Sequence, residues 1–394
     1  MTFFTLLIFA LLFEIILVLI VKNFKHDFRW LIEKKDEKPK FNKIKLKKFF
    51  NKSFHPIYGW DRKPFSSGFE YSNKISKFKI SKEGYRGNLR SKKDLISVFG
   101  DSFAFCRYVD DNMTWEAILE KNLNQSVLNY GVGNFGLDQS FLKYHEFKNK
   151  ISSKVIIFNF VPETIARINS YWKHYREFGN IHAFKPLLEI KNNNLKIIKN
   201  LIEKDYTEGQ IYDKLDEIKS RDIFFHSKFN KLSFKYPYTF SLIKNFNFYS
   251  KILINLFLFK FKKDKKYLNE SIKVVLNQNI LESHHMYLEK KFYKKLENLI
   301  LFMNNNLKKD KRKMIIIITP QLLDLKSGNC ENYQKFFKKL TKKIKCLDLT
   351  KNIKNYGNYD NLYFKDIYGG HLNELGNKYI SGVIYKYLKN KKLI

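Results

Sequence analysis

From residue 95 onward, short apolar runs alternate with stretches of helical periodicity, and few folds satisfy that alternation. The runs lie at 95–99, 126–130, 154–160, 314–319 and 345–349. Helical patterns fall near 113–124, 137–149, 284–307, 331–343 and 374–389. A run such as Met314-Ile315-Ile316-Ile317-Ile318 has no polar alternate face, so both of its faces need cover. A parallel sheet with helices on both sides supplies that cover, which makes this an α/β chain. Open sheets of this type carry their sites at the carboxyl ends of the strands. Glycine-marked turns follow the first two runs, at that edge.

The N-terminal segment has a different character. Phe3 to Val21 is apolar apart from Thr5 and Glu14, long enough to cross a bilayer core as one helix. No basic residue precedes it and no small-residue cleavage site follows, so it reads as an uncleaved anchor over residues 1–22. The alternative is a buried N-terminal helix of a soluble domain. Glu14 is costly at mid-membrane and calls for protonation or a partner on another helix. Lys22, Lys25, Arg29, Lys34, Lys35, Lys38 and Lys40 follow the span, which favours the cytoplasmic face for the rest of the chain. Residues 23–55 read as a basic juxtamembrane linker and 56–394 as the main domain. The stretch from about 165 to 283 interrupts the alternation. It reads as a helical insertion, either packed on the sheet or lying as an amphipathic cap on a membrane or over the site.

The net charge is +36, from 74 Lys+Arg against 38 Asp+Glu. The excess is spread along the chain with no concentrated patch and no recognisable nucleic-acid module, which argues against a nucleic-acid binder. It suits an anionic membrane surface as a partner, or reflects composition alone. The 3 cysteines, Cys106, Cys330 and Cys346, show no ligand spacing and no disulfide framework. No Walker-type phosphate loop and no dinucleotide fingerprint is present, so no cofactor is inferred. His284-His285 lack the spacing of a helical zinc pair.

Two motifs carry chemistry. Gly100-Asp101-Ser102-Phe103 places a serine on a tight turn at the exit of the first run. Gly369-Gly370-His371-Leu372-Asn373 places a histidine before the last helix. A serine hydroxyl is a weak nucleophile until a base takes its proton. Each motif also has a plain structural reading: Ser102 as a helix N-cap, and His371 as a turn residue before the final helix.

Together these motifs resemble those of the SGNH/GDSL hydrolase family, in its membrane-anchored branch. The likeness runs from about Gly84 to Ile384 without much of the insertion. Glu83-Gly84-Tyr85-Arg86-Gly87 is similar to a segment found before the nucleophile in one branch. The resemblance implies a flavodoxin-like doubly wound parallel sheet, with Ser102 as nucleophile, His371 as general base and Asp101 as a structural residue. It also implies backbone donors to an oxyanion at Ser102 and in the loop Asn129–Gln139, where the matching place is Asn134, beside Gly133 and Gly136.

The chain departs from the family pattern twice. The asparagine expected after the third strand falls near Pro162, which has neither a side-chain donor nor an N–H; Glu163 takes the acidic place there. Asn159 lies within the strand and can point elsewhere, and Arg167 and Asn169 lie nearby as substitutes. Three residues before His371, where the family has an aspartate, stands Tyr368. Asp366 fills that role if the glycine pair loops the chain back; otherwise the site is a Ser–His dyad. Trp172, His174, Tyr175 and Arg176 are candidates to line a pocket.

The expectation is a membrane-anchored serine esterase or acyl hydrolase, or an acyltransferase, acting on an ester-bearing glycan or lipid. The alternatives are a non-catalytic binding or scaffold protein of an envelope glycan pathway, and a basic surface-binding protein in which Gly-Asp-Ser is incidental.

Overall fold

In the computed structural model, which describes residues 2–25, 30–72, 75–87, 94–191, 193–366 and 368–394, the five apolar runs form one parallel sheet. Arg29 of the basic flank and Ile367 of the late histidine block lie outside the described residues. The strands are β1 (Asp94–Gly100), β2 (Ser126–Asn129), β3 (Val155–Phe160), β4 (Lys313–Ile318) and β5 (Lys345–Asp348). Their order across the sheet is β5-β4-β3-β1-β2, with every pairing parallel. Read from the other edge this is 2-1-3-4-5, the flavodoxin-like doubly wound order. Every residue of β3 is buried, and alternate side chains point to opposite faces, so both faces are covered.

The longer helices of the alternating pattern are α1 (Trp115–Leu123), α2 (Leu137–Phe147), α3 (Lys290–Lys309) and α4 (Cys330–Leu340), with α5 (Glu374–Asn390) after the last strand. The first and last pack together, the Trp115 N–H donating to Asn377 Oδ1 at 3.3 Å. Phe141 of α2 meets Phe302 of α3 edge-on, with ring centroids 5.8 Å apart. Asn373 caps α5 by accepting from the Gly376 N–H at 2.9 Å. The single helix expected over 284–307 is two helices, Lys266–Met286 and α3. The break turns Tyr287 inward, where its buried hydroxyl donates to the Pro162 carbonyl at 2.7 Å.

The chain divides into two compact units. One holds the sheet and comprises Lys48–Asn169, Lys185–Lys204 and Ile280–Ile394. It also carries the antiparallel pairs Phe54–His55 with Gly59–Trp60, Ser67–Tyr71 with Ile75–Lys79, and Leu187–Lys191 with Asn194–Ile198. The last pair lies inside the stretch read from sequence as a helical insertion. The other unit comprises Met1–Lys47, Ser170–Phe184 and Asp205–Asn279. It includes the apolar helix Thr2–Phe24 and most of the insertion, with the helices Glu208–Asp213, Leu215–Arg221, Tyr238–Lys244 and Phe246–Lys262. Among the described residues one helix is long and apolar enough to cross a membrane, over Phe3–Asn23. The stretch 23–55, read as a linker, contains a helix at Lys43–Lys52.

In the doubly wound order the crevice opens where β1 and β3 lie side by side and their connections diverge. Gly100 ends β1 at that point. A Cβ there would stand 2.0 Å from the Asn159 carbonyl oxygen and 2.7 Å from the Ala104 Cβ. Backbone cannot yield as a flexible side chain does, so Gly100→Ala is expected to destabilise the sheet unit by about 1–3 kcal/mol or more. Thermal unfolding in detergent would show this as a lowered midpoint.

Candidate active site

Asp101 and Ser102 leave β1 on a loop that is braced from two sides. The Asp101 carboxylate accepts from the Phe103 N–H at 2.9 Å, the Val161 N–H at 3.1 Å and Arg167 Nη1 at 3.0 Å. Arg167 Nη1 also donates to the Phe135 carbonyl at 3.1 Å, and Nη2 to Glu163 Oε2 at 2.8 Å. One buried guanidinium thus ties together the loops that follow β1, β2 and β3. On the other side, buried Arg86 donates to the carbonyls of Phe105, Cys106 and Val109 and, at 2.7 Å, to Asp111 Oδ1. The loop it holds needs this support, because Cys106 and Tyr108 have left-handed backbone, φ 55° and 72°. Behind the loop, Cys106 Sγ lies 3.1 Å from Glu116 Oε2. Burial pushes the Glu116 carboxyl up to about 8, and burial raises the Cys106 thiol as well.

The histidine meets this loop from the turn before α5. His371 Nε2 lies 3.0 Å from Ser102 Oγ, and His371 Nδ1 lies 2.8 Å from Asp366 Oδ2. The ring is stacked on Phe103, with centroids 5.0 Å apart, and Tyr108 meets it edge-on at 5.5 Å. Ser102 and His371 are both buried, 7% and 4% exposed, which shields the pair from competing water. Asp366 reaches the ring because the chain turns back through Gly369 (φ 104°) and Gly370 (φ 81°). The turn also aims the N–H groups of Tyr368, Gly370 and His371 at the Asp366 carboxylate, at 2.6, 3.3 and 2.9 Å. Burial would raise this carboxyl, but the His371 charge, the ring hydrogen bond and the backbone donors outweigh it and hold it at about 2. Tyr368, standing where the family pattern has its aspartate, is exposed, with the Arg107 guanidinium 5.0 Å over its ring.

Ser102, His371 and Asp366 therefore come together, whereas the candidate oxyanion residues are more dispersed. The Ser102 N–H has no acceptor among the described residues. Gly133 and Asn134 lie in the loop between β2 and α2. The Gly133 carbonyl accepts from Trp60 Nε1 at 3.0 Å, and Asn134 is exposed with φ 68°. Among the described residues no hydrogen bond joins either to Ser102 or His371. At the third loop, the Val161 N–H is given to Asp101, and Glu163 is a buried ion-pair partner of Arg167. The terminal nitrogens of Arg167 are committed to the brace, and both ends of the Asn169 amide are engaged, by the Ile165 carbonyl and Lys295 Nζ. Asn159 Oδ1 accepts from Thr319 Oγ1 at 2.7 Å, while its buried Nδ2 has no partner among the described residues.

Other candidates serve packing. Trp172 and Tyr175 are fully buried in the unit that contains the apolar helix, Trp172 stacking on Phe184 at 4.7 Å. Burial pushes His174 down to about 4, and its Nε2 meets the Asp36 carbonyl at 2.7 Å. His284 Nε2 pairs with Asp324 Oδ1 at 2.8 Å, and His285 is exposed. The braces of Arg86 and Arg167 were not assigned from sequence. The i,i+4 spacing of Glu163 and Arg167 is the local signal for the second; the first lies in the Glu83–Gly87 motif without any mark of what it holds.

No family model matches the chain, and no curated protein sequence does. Among solved structures the chain is similar to the lipase/acylhydrolase from Enterococcus faecalis, at 10% identity over 76% of this chain and 96% of that one, with a TM-score of 0.35. It is also similar to a member of the lipolytic protein G-D-S-L family from Veillonella parvula DSM 2008, at 14% identity over 75% and 96%, with a TM-score of 0.33.

Removing Arg167 would leave two buried carboxylates uncompensated. Arg167→Met is expected to cost about 3–5 kcal/mol, the usual loss when one partner of a buried ion pair is deleted. A large drop in thermal midpoint checks this. The depressed Asp366 carboxyl also sets a pH dependence. Its stabilisation is complete above the unfolded-state value near 4 and is lost as pH falls through about 2. Between these limits stability should fall less steeply in Asp366→Asn than in the unsubstituted chain, as measured by denaturant unfolding at a series of pH values.

Proposed function

We propose that this chain is a membrane-anchored serine hydrolase of ester bonds. The observation that carries the reading is the continuous hydrogen-bonded line from Asp366 through His371 to the buried Ser102 hydroxyl. With Nδ1–H given to Asp366, the ring presents Nε2 as an acceptor to the Ser102 O–H. Ser102 Oγ attacks an ester carbonyl carbon while its proton passes to His371 Nε2. The tetrahedral intermediate collapses, the bond to the alcohol oxygen breaks, and that oxygen takes the proton from Nε2. Water then attacks the acyl-serine, giving its proton to Nε2, and the acid leaves as Ser102 regains a proton. A sugar hydroxyl in place of water would make the same site an acyltransferase. Asp366 fixes the ring and stabilises its cationic form. The free N–H of Ser102 points to it as one oxyanion donor; the loop of Gly133 and Asn134 is the proposed source of a second.

The helix Thr2–Phe24 would anchor the enzyme, with the lysines after it favouring the cytoplasmic face. An ester on a lipid or a membrane-associated glycan suits that placement and the basic charge. A second reading, a binding protein on the same fold, is favoured by the third loop, where Pro162 offers no donor and Val161 has given up its own.

Labelling of the detergent-solubilised protein by a fluorophosphonate separates the two. Labelling is expected in the unsubstituted chain and absent in Ser102→Ala and His371→Ala. In Asp366→Asn, hydrolysis of a small aryl ester should fall by about 10⁴-fold, the loss a triad suffers when its acid becomes an amide. Folded protein that resists the probe would favour the binding reading.

A further inference from the structure

The apolar helix Thr2–Phe24 is not a bare anchor, because Glu14 near its centre is fully employed. Its carboxylate accepts from the Tyr238 N–H at 2.5 Å, the Thr239 N–H at 2.7 Å and Thr239 Oγ1 at 2.6 Å. The carboxylate thus caps the helix Tyr238–Lys244, whose first N–H groups have no partner within the helix. Both elements belong to the same compact unit. Residues 14 to 23 rise about 14 Å at 1.5 Å per residue, close to half of a hydrocarbon core about 30 Å thick. If Thr2–Phe24 spans a bilayer, Glu14 holds the start of Tyr238–Lys244 deep in one leaflet. A carboxylate at that depth is tolerable only with donors of this kind.

The surface attached there is apolar. Phe240 and Ile243 are 68% and 69% exposed. The next helix, Phe246–Lys262, buries Phe248, Tyr249, Ile252, Leu253 and Leu256 and leaves Phe246, Ile254, Phe257 and Phe261 exposed. Those four fall on one helical stripe, beside the buried one. The stripe ends in Lys260, Lys262, Lys263, Lys265 and Lys266, interrupted by one acid, Asp264. Between the two elements a cavity of about 500 Å³ is lined by Val18, Val21 and Tyr238 on its apolar side, with Lys22, Lys25, Lys35 and Glu33. Lys25 pairs with Glu33 and Asp36 and Lys35 with Glu33, so the apolar walls and Lys22 are what match the zone where acyl chains meet headgroups.

We propose that residues 236–266 form a second membrane-embedded element. Its aromatic ridge enters the leaflet entered by the C-terminal half of the N-terminal helix, and its terminal lysines meet anionic headgroups. The inference rests on reading Thr2–Phe24 as a membrane span. What selects lipid as the occupant is continuity: the element begins at Tyr238 and Thr239, which are hydrogen-bonded to mid-span, and ends in the charge that an anionic surface attracts.

The test uses the full-length protein in phosphatidylcholine–phosphatidylglycerol vesicles, with Cys346→Ser to limit background labelling. One cysteine added per protein, at Phe257→Cys, Ile243→Cys or, in the span, Phe9→Cys, carries a polarity-sensitive fluorophore, with Cys106 and Cys330 left in place because both are buried. Quenching by doxyl-labelled lipid is compared with quenching by aqueous iodide. The proposal expects residues 257 and 243 to match residue 9: a blue-shifted emission, quenched by doxyl lipid and protected from iodide. Lipid quenching at residue 9 with iodide quenching at 257 and 243 would overturn the second element and leave the span standing. Protection of 257 and 243 from both quenchers would mean a protein surface, such as a second copy, covers the ridge, and would also overturn it. Iodide quenching at residue 9 would overturn the span and the inference with it.

Discussion

The Arg167 guanidinium is the constraint on which the candidate site depends. Three loops leave neighbouring strands at the carboxyl edge of the sheet, and loops at such an edge have no ladder to hold them. Arg167 reaches Asp101 in the first, the Phe135 carbonyl in the second and Glu163 in the third. Asp101 then passes the constraint on, taking the N–H groups of Phe103 and Val161. Ser102 lies between two residues so held. Burial makes the arrangement demanding: each charge is tolerable only while the others stay in place, which sharpens the geometry of the loops more than it adds to net stability.

The histidine is positioned by a different device. Asp366 lies five residues before His371 rather than three, and a short extended connection would carry it past the ring. Two consecutive residues with positive φ, Gly369 and Gly370, reverse the chain so that Asp366 faces both the ring nitrogen and three backbone N–H groups. The same turn that delivers the acid therefore supplies the donors that keep it ionised in a buried place. Phe103 and Tyr108 complete the seat of the imidazole, and both belong to the loop that carries Ser102 and is held by Arg86.

Glu14 plays a comparable part in the other unit. It is the one acid in an apolar helix, and its carboxylate closes the open end of Tyr238–Lys244. A charge that would count against membrane insertion when considered alone becomes the link between two apolar elements.

Much of this was legible in the chain itself. The inner strands β1, β3 and β4 were marked by continuous apolar runs, because a strand covered on both faces can carry no polar alternation, whereas the edge strand β5 has a charged residue at each end and is only half-buried. Four of the five helices fell where the periodicity placed them; the remaining pattern, 284–307, hid a break, since Tyr287 is apolar enough to continue a helical stripe while its hydroxyl seeks Pro162. Ser102 and His371 stood out because glycines and strand ends surround them. The acid partner was left open between Asp366 and none, since a sequence names the glycines but not the direction in which they turn the chain. The contacts of Arg86 and Glu14, and those of Arg167 beyond its i,i+4 neighbour Glu163, were beyond reach for a common reason. Their partners are backbone carbonyls and N–H groups, which every residue has, or carboxylates up to 66 residues away in the chain. Local pattern determined the elements and the two candidate residues, Ser102 and His371; only the tertiary structure decided which charges were paired, which donors were used up, and how Asp366 came to face His371.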